Sequence, residues 1–332
     1  MKTDVYISGE NGYNTYRIPA LLAAWNGYLL AICEGRRNTP RDYGDIDLLI
    51  KRSSNGGATW STQQVIYGEP GDDITIGNPC PVLDHNTGVI WLPFCRNNRD
   101  VLITNSDDHG ETWSTPRDLN ATCRNDAWNW YATGPGIGIQ LMRGPHEGQL
   151  VIPCDHRHDK DYGNGSHALL SDDHGETWRR SGLIKHGANE CQVAELMDGT
   201  LMMNIRMQTL SQGLRGVSLS EDGGETWSEV VHESQLPCPK CQASLIGDGD
   251  TYLFSNPVPP HPPNPEKGDR VNLVVKRSTD QGKTWNDHLV LHEGPAAYSS
   301  LLFHADGDAA CLYEGGTDDF RDGLIFQRFP LA

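Results

Sequence analysis

The chain has 332 residues, 37% of them hydrophobic, with a mean hydropathy of −0.54 and a formal net charge of −17. That length holds one large all-β domain or two average ones, and nine Trp and eleven Tyr in a polar background mark a soluble globular chain. The acidic balance argues against nucleic acid or an anionic membrane surface as partner, and no apolar run approaches the roughly 18 to 20 residues of a membrane span.

In chain order, Met1–Gly12 lacks the apolar core of a secretory leader, so a cytoplasmic location is expected, or a secreted or periplasmic one if a leader has been removed. Tyr16–Leu21 (YRIPAL) puts Arg17 in an apolar strand start. Glu34–Arg37 (EGRR) and Asp42–Leu49 (DYGDIDLL) follow, and Ile46–Arg52 (IDLLIKR) alternates as a half-buried strand does. Asn78–Pro81 (NPCP) is a turn signal. Asp155–His158 (DHRH) offers two histidines without a third placed ligand, which reads as a surface loop rather than a metal site. Next come Asn189–Glu195 (NECQVAE) and Asn204–Arg206. Cys238 and Cys241 form a lone C-x-x-C read as structural, and the nine scattered cysteines suggest reduced thiols. Pro257–Pro265 (PVPPHPPNP) is a rigid loop that either rims the site or is a solvent-exposed connector. Arg270 precedes the strand Val271–Arg277 (VNLVVKR), and Ala297–Ser300 (AYSS) and Leu312–Gly315 (LYEG) close the series.

One octapeptide threads these segments: Ser53–Trp60, Ser106–Trp113, Ser171–Trp178, Ser220–Trp227 and Ser278–Trp285, with starts 53, 65, 49 and 58 residues apart. Its pattern is S-x-D-x-G-x-T-W, with Asn55 in place of Asp in the first copy. Ser and Asp bond back to turn amides, Gly takes a positive φ, and the Trp packs between neighbouring units. A period near 50 in a strand-rich chain without helical periodicity predicts a six-bladed β-propeller over residues 1–332, in one domain. An N-terminal strand joins the segment Ala309–Leu331 in the closing blade and removes the open edge. The boxes are folding turns and carry no chemistry.

An arginine inside a strand pattern is expensive to bury without an anionic partner. Arg17, Arg206 and Arg270 lie in different blades, and they either converge on the central channel as a clamp for one carboxylate or are three separate solvated or ion-paired residues.

With its Asp boxes, YRIPAL and ECQVAE, the chain resembles the exo-α-sialidase family, and the resemblance to bacterial and vertebrate cytosolic members covers essentially the whole chain. The resemblance implies a retaining exo-glycosidase that releases terminal α-linked sialic acid from glycoconjugates and needs no metal or cofactor. Arg17, Arg206 and Arg270 match its carboxylate-binding triad. Asp42 matches the acid/base, with Asp45 and Asp47 as competing strand-entry carboxylates. Glu190 matches the base that activates the nucleophile. Its rival Glu195 is out of alternation with it and faces the other way. Tyr298 matches the nucleophile and Glu314 the carboxylate that orients Arg17, while Tyr313 reads as core. Arg36, and with it Glu34, resemble residues lining the ring-hydroxyl side of the pocket, and Asn78 lies near the N-acetyl or glycerol side or is a simple turn asparagine.

The residue types suit the chemistry. A sialic acid already bears a carboxylate at its anomeric carbon, so a carboxylate nucleophile would meet like charge, whereas a tyrosine hydroxyl is neutral until attack. Two other readings keep the same residues: the same mechanism on a deaminated (KDN) or octulosonic (Kdo) acid, and a non-catalytic Asp-box propeller that binds glycans. The second of these predicts gaps in the constellation, and every role has a candidate.

Overall fold

The structure, a computed structural model, describes residues 1–71, 73–161, 163–209, 212–259 and 269–331. Most of the proline-rich segment 257–265 therefore lies outside the described residues. Among the described residues helix is confined to one turn at Asn120–Cys123 and a 3-10 turn at Gly144–His146, so the chain is all-β. Among the described residues no helix is long and apolar enough to cross a membrane.

The repeating unit is an antiparallel meander. In the first, Thr15–Ala23 pairs with Leu29–Arg36, that strand with Ile46–Ser53, and the last with Gln64–Tyr67. Burial falls from one side to the other. Leu29–Arg36 is buried throughout and Thr15–Ala23 in all but its last residue, whereas Gln64–Tyr67 is exposed or half-buried. A strand covered on both faces needs no alternation, which is why TYRIPALLA reads as a continuous apolar run. Three further sheets repeat the plan along the chain, with inner strands ending in Val82–Leu83, Ile139–Gln140 and Ala188–Glu195.

The last sheet has seven strands. Its 18-residue strand Asn286–Phe303 pairs with Val271–Ser278 through its first half and with Asp308–Gly315 through its second, so it is the outer strand of one meander and the inner strand of the next. Lys2–Ile7 completes this sheet by pairing with Gly323–Pro330, from Lys2↔Gln327 to Ile7↔Gly323. The expected joining of the two chain ends is thus seen. Tyr6, 1% exposed, donates its hydroxyl to the carbonyl of Ala31 and fastens the closing strand to the first sheet.

The octapeptides build the expected turns. In the second, Ser106 Oγ donates to Asp108 Oδ1 and accepts from Gly110 N, both at 2.8 Å, while Asp108 accepts from Thr112 N at 2.8 Å and Thr112 Oγ1 at 2.6 Å. Asn55 makes the same turn, accepting from Thr59 N and donating to Thr59 Oγ1, each at 2.9 Å. The glycine is needed twice over. Gly57 and Gly175 sit at φ +88° and +89°, and a Cβ on either would lie 2.1 Å from the ring of Phe326 or of Trp91. Those rings belong to the sheet before the box's own, and for the first box that is the last sheet. Gly110 against Leu30, Gly224 against Leu170 and Gly282 against Met202 continue the series, so the contacts run around the molecule and close. Trp60, 5.4 Å from the Phe326 ring, packs across the same junction.

Candidate active site

Three of the innermost strands carry a register shift at a residue singled out in the sequence: between Arg17 and Ala20, between Ala188 and Cys191, and between Ala296 and Ser299. A bulge re-aims the side chains in and beside it, and here the shifts contain Glu190 and Tyr298 and begin directly after Arg17. The first is severe. Ile18, β-branched and followed by proline, takes φ +58°, and its amide donates to Glu314 Oε1 at 3.0 Å, so the fully buried Glu314 holds the kink in place.

These side chains meet in a pocket of about 330 Å³ whose wall includes Arg17, Asp42, Glu190, Arg206, Arg270 and Tyr298. Tyr298 is its centre. Its hydroxyl donates to Glu190 Oε1 and accepts from Arg206 Nη1 at 3.1 Å, and the same Nη1 donates to Glu190 Oε2 at 2.6 Å. The guanidinium carbons of Arg17 and Arg270 lie 4.9 and 5.3 Å from its ring centroid. The three arginines therefore surround one phenol. Arg17 is fixed by a two-pronged pair with Glu314, both bonds 3.0 Å. Arg206 is held by Glu190. Arg270 bonds to the Lys240 carbonyl at 3.2 Å and has no carboxylate partner among the described residues.

The electrostatics follow. Burial disfavours the charge of Arg17, but Glu314 first, then Tyr298 and Asp42, hold it above its ordinary value. Arg206 is raised in the same way, mainly by Glu190. Burial first and Glu190 second push the Tyr298 phenol well above its usual range against the pull of Arg206, Arg270 and Arg17. The resting phenol is neutral.

Asp42 faces this centre from the connection before Ile46–Ser53, with its side chain 63% exposed. Its Oδ1 lies 2.8 Å from Arg36 Nη1 and 3.3 Å from Arg17 Nη1. Partial burial raises its carboxyl, but Arg36 and then Arg17 outweigh this and hold it below the ordinary value. Arg36 differs from the expectation. It is 1% exposed, clamped to Glu34 Oε2, and reaches Asp42 instead of lining the pocket. Asn78 does line the pocket, at φ +57°, with its amide N–H on Glu34 Oε1 and its side-chain amide donating to Asn98 Oδ1 at 2.9 Å. Asn98 in turn donates to the Asp42 carbonyl at 2.8 Å, tying the loop of Asp42 to the next sheet.

The rival carboxylates lie elsewhere. Asp47 accepts from Tyr13 and Arg37, and Asp45 pairs with Arg37. Glu195 sits in a more apolar pocket with Leu22, Val82 and Ile246, where it accepts from the amides of Met142 and Arg143. Tyr313 is core. The DHRH segment is no surface loop: it ends the strand Leu150–His158, and Asp155 and His156 are buried. Asp155, Trp130 and Asn189 line the pocket, and the sequence reading assigned none of them to it. A strand-compatible run, VIPCD, before the histidines was the available signal. All nine cysteines are buried free thiols, and among the described residues no three His, Cys, Asp or Glu side chains are placed to share a metal ion.

Residues 20–311 match the BNR repeat-like domain. The chain is similar to a sialidase of Micromonospora viridifaciens, 31% identical over 99% of this chain and 53% of that protein. It is also similar to an exo-alpha-sialidase of Aspergillus fumigatus, 33% identical over 97% of this chain and 85% of that one. Among solved structures, the Hadza microbial sialidase Hz136 superposes with a TM-score of 0.88 at 28% identity, covering all of this chain and 68% of its own. This chain spans about half the length of the Micromonospora relative and most of the fungal one. It belongs to the sialidase family of BNR-repeat proteins.

Proposed function

We propose that the chain is a retaining exo-sialidase, a glycoside hydrolase releasing terminal α-linked sialic acid, built on a six-bladed β-propeller that spans residues 1–332 as one catalytic domain. Counting the seven-stranded sheet as two meanders sharing Asn286–Phe303 gives the six blades. The observation that carries the function is the Tyr298 hydroxyl bonded at once to Glu190 and Arg206, inside a ring of three arginines, with Asp42 nearby in the same pocket.

Arg17, Arg206 and Arg270 grip the substrate carboxylate, Arg270 with a charge no protein carboxylate shares among the described residues. Tyr298 Oη attacks the anomeric carbon as its proton passes to Glu190 Oε1, and Arg206 Nη1 stabilises the developing phenolate character. Asp42 gives a proton to the departing glycosidic oxygen. In the second half, water attacks the same carbon and yields a proton to Asp42, while Tyr298 Oη leaves and recovers its proton from Glu190. Two displacements give retention. Asn78 faces a substituent of the sugar ring.

The test is turnover of the 4-methylumbelliferyl glycosides of N-acetylneuraminic acid, KDN and Kdo by the wild type and Tyr298→Phe. The wild type is expected to favour the first, and the variant to lose about 10³-fold or more in kcat. Full activity in Tyr298→Phe removes the nucleophile assignment, preference for KDN or Kdo reassigns the sugar, and no turnover on any of the three overturns the enzyme reading.

A further inference from the structure

Asp155 is 1% exposed, at the wall of the pocket. Its Oδ2 accepts two bonds, from Trp130 Nε1 at 3.1 Å and from Asn189 Nδ2 at 2.9 Å. Its Oδ1 is buried and has no hydrogen-bond partner among the described residues. We propose that Asp155 is a neutral carboxylic acid in the working protein, a positioning residue that anchors Trp130 and Asn189 and leaves Glu190 as the anion that Arg206 serves.

The surroundings argue for this from every side. The neighbouring strand Ala188–Glu195 presents Glu190, an anion already committed to Arg206. Arg206, from Leu201–Met207, bonds to Glu190 and Tyr298, and among the described residues it makes no bond to Asp155. Arg157, two residues on, is bonded to Asn129 and paired with Asp159. His156 stacks on Trp128 and bonds to His167. The thiols of Cys95, Cys154 and Cys191 also lie near it, and burial holds them neutral. An ionised Asp155 would thus strand a bare anionic oxygen in the interior beside a second carboxylate, which costs far more than an idle hydroxyl. Two donors already occupy Oδ2, so the proton resides on Oδ1. In agreement, burial first and Glu190 second push this carboxyl well above the carboxylate range, with Arg206 opposing only in part.

The protonation state stands on geometry, and its effect on turnover rests on the sialidase reading above. Two measurements separate them. Infrared difference spectra of the ligand-free protein at pH 7, wild type minus Asp155→Asn, should show the carbonyl stretch of a protonated carboxylic acid, and its absence overturns the proposal. If Asp155→Asn does not fold, labelling the wild type with carboxyl-13C aspartate should shift that same band, and an unshifted spectrum is equally fatal. In turnover of 4-methylumbelliferyl N-acetylneuraminide, Asp155→Asn preserves the acceptor for Trp130 and Asn189 and should stay within about threefold of the wild type, while Asp155→Ala loses about 10- to 100-fold in kcat/KM. An Asn variant as poor as the Ala variant means that the charge is needed and the proposal fails. A wild type that shows the acid band yet turns over no sialoside upholds the neutral acid and removes the sialidase reading.

Discussion

In the proposed mechanism Asp42 has to be an acid, yet the resting protein holds its carboxyl below the ordinary value through Arg36 and Arg17. The proposed substrate resolves this, because a carboxylate bound on Arg17 takes up part of the positive charge that keeps Asp42 ionised, and its proton affinity rises on binding. The sign is testable. kcat/KM reports the free protein and kcat the complex, so for an alkyl-linked sialoside the alkaline limb of kcat is expected at higher pH than that of kcat/KM. Asp42→Ala should lose about 10² to 10⁴ in kcat on that substrate and much less on an activated aryl glycoside, which leaves without a proton. Coincident limbs would show that binding does not alter Asp42. The residues of this centre were legible because the chemistry restricts them: arginine in an apolar run, a tyrosine near small residues, ECQ ahead of a buried arginine. What stayed hidden were the bulges at Arg17, Glu190 and Tyr298, since a period-two reading assumes an unbroken ladder. Asp155 stayed hidden too, because its neighbours in sequence, Cys154 and His156, point to other chemistry. The orientation of Arg36 is not legible in sequence. Sequence locates it near the site but cannot show that Glu34 turns its guanidinium behind Asp42.

The octapeptide turn is the element whose structure was most fully written in the sequence, because every bond in it spans four residues or fewer. Burial opposes ionisation of Asp108, but the hydroxyl and amide of Thr112 and the hydroxyl of Ser106 hold its carboxyl down to about 2. Its contribution to stability is therefore complete above the unfolded carboxyl value near pH 4 and fades as pH falls through about 2. Asn55 shows that an amide keeps the turn without titrating. Accordingly Asp108→Asn should stay within about 0.5 kcal/mol of the wild type at pH 7 and blunt the acid-induced loss of Tm, whereas Asp108→Ala should cost about 1–2 kcal/mol. Thermal melts between pH 2 and 7 check both. No box residue lines the pocket, so kcat/KM should be unchanged in either variant. A box variant that folds but loses activity would contradict the separation of scaffold from site. Less legible was the strand Asn286–Phe303, whose backbone continues from one meander into the next.

At the scale of the molecule, ring closure was foreseeable from the open edge a repeat array leaves. That the first box would dock on Phe326 was not, because that contact joins residues 269 positions apart. The ring of sheets brings Arg17, Arg206 and Arg270 to one pocket, on a chain whose formal net charge is −17. Glu314, Glu190 and Asp42 offset much of the arginine charge at close range, so an approaching anion meets a repulsive far field and an attractive site only on contact. Salt acts on the two unequally. The Debye length falls from about 30 Å at 10 mM to about 8 Å at 150 mM, which screens the surface charges, while the buried contacts with Arg17, Arg206 and Arg270 are screened much less. The kcat/KM for an anionic sialoside is therefore expected to rise about two- to threefold between those salt concentrations, through KM rather than kcat. Substituting surface acids distant from the pocket by their amides should reproduce the rise at low salt and flatten the salt dependence. A kcat/KM that falls steadily from the lowest salt upward would mean that the arginine cluster governs the approach as well as the grip, and that the acidic surface is electrostatically silent at the site.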